Sequence, residues 1–63
     1  MNHTEAKRKA KRMSNDALEY TIKDCRAAIR AIPDNEKNSE YADVSLYCSE
    51  ELFARRTGEA KTT

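Results

Sequence analysis

An all-α fold, an antiparallel helical hairpin, is predicted by three observations. Leu18, Ile22, Cys25, Ile29 and Ile32 recur at spacings of 4, 3, 4 and 3, and Tyr41, Val44, Cys48 and Leu52 at 3, 4 and 4, the period of one helix face. Between the stripes lies a polar break that holds the chain's one proline, Pro33. Folding the chain back at Glu36 and Lys37 then sets Ile32 opposite Tyr41, Ile29 opposite Val44 and Cys25 opposite Cys48, with Ile22 close to Leu52. These nine residues are the expected hairpin core.

Residues 1–13 form a basic arm. Thr4 is placed to cap a run over Glu5 to Lys11, where Ala, Lys and Arg have good helix propensity but no apolar face is visible, so the arm is expected to be soft or partly helical. The first firm helix is expected over 14–32. Ser14 as N-cap puts Met13 just before the cap and Leu18 at the fourth helical position, the spacing of a hydrophobic staple, and Asp16 favours the positive helix end. Pro33 ends this helix, because its ring removes a donor and disfavours helical geometry at Ile32. Asp34, Asn35 and Asn38 supply turn chemistry over 33–38. A second helix follows over 39–57, with Asn38 or Ser39 as cap, Glu40 and Asp43 in its first turn and Arg55 and Arg56 in its last. Gly58 reads as its stop and 58–63 as a disordered tail.

A chain of 63 residues buries too little apolar surface to be more than marginally stable as a lone hairpin. Disulfides, a structural metal and self-association are the usual remedies, and self-association is the one the sequence favours. Ala42, Leu46 and Phe53 make a second stripe roughly 120° around the second helix from the first, with Tyr47 at its margin. One partner helix cannot cover both stripes. Leu46, Tyr47 and Phe53 are therefore the candidate interface of a homodimeric four-helix assembly.

Two cysteines and one histidine are too few soft ligands for a tetrahedral zinc site, and no cofactor is implied. Cys25 and Cys48 are expected as core thiols, with a disulfide or redox-sensing pair as the alternative. Paired-acid catalysis needs carboxylates converging on a cleft, whereas the carboxylates here lie mostly away from the seam, so no enzymatic role is expected. No apolar run approaches a membrane span and no hydrophobic segment follows the basic stretch, which points to a soluble, intracellular protein.

The formal charge of +1 hides an asymmetry: Lys7, Arg8, Lys9, Lys11 and Arg12 against Glu5 give residues 1–13 a net +4, leaving −3 for the rest. Those five cations are the candidate nucleic-acid contact, since they can neutralise phosphates without reading bases. The plainer reading is a solvated N-terminus. No aromatic residue accompanies them for stacking on single strands, and a helix-turn-helix would need a third helix and recognition turn.

MSNDALEYTIKDC at 13–25, AIPDN at 31–35 and YADV at 41–44 resemble the small early-region proteins of lambdoid phages encoded between the exonuclease and excisionase genes. The resemblance spans the chain. It implies a non-essential early product that influences host physiology or the choice between lysis and lysogeny. It transfers no site residues. A chain patterned for a bundle and without pocket chemistry is itself expected to be a binding module that occupies a host or phage protein in the host cytoplasm.

Overall fold

The computed structural model describes the backbone of residues 2–62 and the side chains of residues 2–58. Among these residues it is all-helical, with α1 His3–Arg12, α2 Asn15–Ala31 and α3 Asn38–Thr62 and no strand. α2 and α3 pack along each other, and α1 lies against α3.

The basic arm is a defined helix, and its own residues explain why. The cap is Asn2, whose side chain accepts from the Glu5 amide at 3.2 Å, rather than the expected Thr4. Glu5 sits in the first turn and Lys9, Lys11 and Arg12 in the last, each at the end of the helix dipole that favours its charge. Two small residues one turn apart supply the face that hydropathy did not reveal: Ala6 is half-buried and Ala10 is 3% exposed.

α2 begins at Ser14, whose hydroxyl oxygen accepts from the Ala17 amide at 3.1 Å. Met13, just before the cap, packs with Leu18 in one cluster that also holds Ala10, Ile22, Cys48, Val44 and Leu52. α2 leaves helical geometry at Ile32, its C-cap, with φ −136° and ψ 82°. Ile32 was expected in the seam but is 57% exposed. The break imposed by Pro33 begins at Ile32 itself, so its side chain no longer follows the phase of the stripe.

The connection is tied by amides. The Asn35 amide donates to the Ile32 carbonyl at 3.1 Å, and the Lys37 amide donates to Asn35 Oδ1 at 2.9 Å. Asn38 is the first residue of α3 and not its cap; its Nδ2 donates to the Ile32 and Pro33 carbonyls at 2.8 and 3.0 Å.

α3 runs on through Gly58 to Thr62, where the sequence predicted a stop and a tail over 58–63. Gly58 has a non-positive φ and nothing within 4 Å of where a Cβ would stand, so neither a left-handed cap nor a neighbour ends the helix there. Interior Gly costs about 1 kcal/mol relative to Ala. Thr63 and the side chains of 59–62 lie outside the described residues.

Candidate interaction surface

The expected core residues fall into two groups. Leu18, Ile22, Cys25 and Cys48 are buried, whereas Ile29, Tyr41, Val44 and Leu52 are half-buried and Ile32 is exposed. Both cysteines are free thiols. Burial raises the Cys25 thiol above its ordinary value, with the Asp24 charge adding to it. Burial also raises Cys48, with the charge of Cys25 adding to it. A raised thiol is a poor nucleophile and a poor metal ligand, because the thiolate is the reactive form.

One face of the α2 and α3 layer is covered by α1. Ala6, Ala10 and Met13 lie over Thr21, Val44 and Cys48 around an apolar groove of about 220 Å³. At the edge of this contact is Tyr47, expected at a dimer interface but engaged within the chain. His3 Nδ1 shares a hydrogen bond with its hydroxyl, the two rings meet edge to face at 5.9 Å and 88°, and Lys7 Nζ stands 5.3 Å from the ring centroid. The Tyr47 hydroxyl is raised above its ordinary value by loss of surrounding water and then by Asp43 and Glu50.

At its other end α1 is fastened by Arg55. The guanidinium donates to the Lys11 carbonyl at 3.1 Å, to Asn15 Oδ1 at 2.8 Å and to Glu51 Oε2 at 2.9 Å. Arg55 was expected in the last turn of a helix ending near 57, answering its dipole. Because α3 continues to Thr62, the side chain serves the junction of α1 and α2 instead.

The opposite face of the layer has no cover among the described residues. Leu46 is 52% and Phe53 69% exposed. Ala42, Leu46, Ser49 and Phe53 are spaced 4, 3 and 4, one continuous stripe on α3. On α2 the exposed residues Glu19, Lys23, Arg26 and Arg30 recur at spacings of 4, 3 and 4, and on α3 half-buried Asp43 and exposed Glu50 stand seven residues apart. Exposed Tyr20, on the back of α2, drew no attention in the sequence because nothing repeats its position.

The five cations of the arm are all exposed, but the helix sorts them. Lys7 and Lys11 border a cleft of about 210 Å³ shared with Tyr47, Glu50 and Glu51 of α3. Arg8 and Arg12 border a separate patch with Glu5 and Lys9, and Lys9 also edges the groove under α1.

Among the described residues no three His, Cys, Asp or Glu side chains converge as a metal site, and no helix is long and apolar enough to cross a membrane. No family model matches the chain, and no curated protein or solved structure matches it.

Proposed function

We propose that this chain is a non-enzymatic protein-binding module, in which α2 and α3 form an antiparallel helical hairpin that pairs with a second copy through the bare face of α3. The observation that carries the reading is the one-sided cover: α1 occupies one face of the layer, while Leu46 and Phe53 stand in water on the other. Such a chain exposes more surface than its mass calls for. The accessible area is 5013 Å², against about 4,100 Å² for a compact monomer of this mass, with the overhang of α3 contributing part of the excess.

A second copy suits the face because of the charges beside the stripe. Laying one α3 on its partner would set Asp43 and Glu50 against the exposed α2 row Glu19, Lys23, Arg26 and Arg30, which carries three cations against one carboxylate. Opposite charges meet only when the two α3 helices are parallel, since antiparallel pairing sets like charge on like. In line with the resemblance to early lambdoid-phage proteins, the dimer acts in the host cytoplasm by occupying a host or phage protein, without turnover. Open, shallow clefts and thiols held neutral support binding rather than reaction.

Sedimentation equilibrium at micromolar concentration is the test. A dimer that Phe53→Ser converts to a helical monomer supports the reading, and Leu46→Cys should cross-link to itself in a parallel pair. A parent protein that sediments as a monomer removes the pairing.

A further inference from the structure

α1 is a cation-bearing helix docked on α3, and its charges have different surroundings. Lys7 is held over the Tyr47 ring, and Lys11, one turn on, shares a cleft with Glu50 and Glu51. These two cations face charges and an aromatic ring of their own chain. Arg8 and Arg12, also one turn apart, border a separate patch with Glu5 and Lys9, and Lys9 also edges the groove between α1 and the α2 and α3 layer. Glu5 is in the first turn, at the positive end of the helix, and Arg12 in the last. The acid and the cations are thereby separated along the axis, and the outward charge grows toward the α1 and α2 junction that Arg55 fastens.

We infer that Arg8, Lys9 and Arg12 form a phosphate-contacting surface for duplex DNA, bound through its backbone and without base readout. Guanidinium groups match phosphate oxygens in paired hydrogen bonds, and two of them at one-turn spacing on a fixed helix lose less freedom on binding than they would on a flexible arm. Thr4, Glu5, Arg8 and Arg12 give the outward side no aromatic or aliphatic side chain. That composition offers no stacking platform for single strands and no wedge for a lipid interface. The surface belongs to α1 and not to the bare stripe of α3, so DNA binding and the proposed pairing are independent.

The ligand makes three phosphate contacts per protomer, so the logarithm of affinity falls against the logarithm of salt with a slope of about 2.7. The experiment is fluorescence anisotropy of full-length protein on a labelled short duplex between about 50 and about 200 mM salt, with helicity of each variant followed by circular dichroism. Two double variants remove equal charge. Arg8→Gln with Arg12→Gln should lower affinity at least about tenfold and shorten the salt slope by nearly two, whereas Lys7→Gln with Lys11→Gln should change affinity less than about threefold. Arg8→Lys with Arg12→Lys should recover part of the affinity and most of the slope. Equal losses from the two double variants at unchanged helicity would overturn the assignment, because a flexible arm treats its charges alike. So would the absence of duplex binding at the lower salt, or displacement of the duplex by polyglutamate as effectively as by unlabelled duplex at matched charge.

Discussion

Arg55 donates to the main-chain carbonyl of Lys11, so a side chain of α3 caps the C-terminal end of α1. The carbonyls of a last helical turn have no partner within their own helix, and a guanidinium there also meets the negative end of the dipole. The same group reaches Asn15 at the start of α2 and Glu51 one turn back on α3. One residue therefore holds three helices at a single point.

Arg55→Ala should lower stability by about 1–2 kcal/mol, less than three charge-assisted bonds suggest because the site is partly open to solvent. Arg55→Lys should recover little of this, since an ammonium cannot span all three acceptors as the planar fork does. Urea denaturation of the three proteins checks it. Equal stability of parent and Arg55→Ala would show that α1 is held by its apolar contacts alone.

Ala10→Glu should detach α1 and leave the rest folded. Ala10 is 3% exposed in the cluster with Cys48 and Leu18, and an unpaired carboxylate there costs several kcal/mol, more than the small apolar face of α1 returns. Circular dichroism should lose signal for up to the ten residues of α1. Slow amide exchange at Ile22 and Cys48 should persist, and its loss together with α1 would mean that the three helices fold as one unit.

Much of the fold was legible because large apolar side chains mark their own period. Leu18, Ile22, Cys25 and Cys48 announce buried faces, and Met13, Ser14 and Leu18 announce a helix start. α1 was harder to read because Ala6 and Ala10 occupy its inner face, and alanine carries almost no hydropathy signal. The clue available was the one-turn spacing of Ala6 and Ala10, followed by Met13 three residues on. The contacts of Tyr47 with His3 and Lys7 were hidden for the same reason, since a chain read without a docked α1 gives its ring no partner within the chain. Ile32 was lost at the boundary: a stripe counted by spacing does not register that the backbone stops being helical one residue before proline. Gly58 failed as a stop because a glycine ends a helix only where a left-handed turn forms, and none forms here.

Stability should fall on the alkaline side through the two thiols. Both are raised in the folded chain, Cys25 by burial and Asp24 and Cys48 by burial and Cys25. The unfolded chain then loses these protons at lower pH than the folded one, so their contribution is complete below the ordinary thiol value and is lost as pH rises through the folded values. Melting temperature should decline from neutral pH into that range. A variant with Cys25→Ala and Cys48→Ala should start lower, because it loses buried volume, and decline less steeply. Parallel curves for the two proteins would assign the alkaline loss to other groups.

Asn38→Asp separates the role of a residue from its position. At the first residue of a helix an aspartate normally stabilises, through its charge at the positive end of the dipole. Here the Asn38 amide nitrogen donates to the Ile32 and Pro33 carbonyls, and its Oδ1 is buried without a hydrogen-bond partner. A carboxylate would replace two donations with repulsion between oxygens and bury a charge beside them. Stability should drop by about 1–3 kcal/mol, most steeply above the carboxylate titration range, and acidification should restore part of it by protonating the new group. Calorimetry of the variant at neutral and acid pH checks the sign. A variant as stable as the parent at neutral pH would mean that dipole stabilisation outweighs the two bonds to the turn.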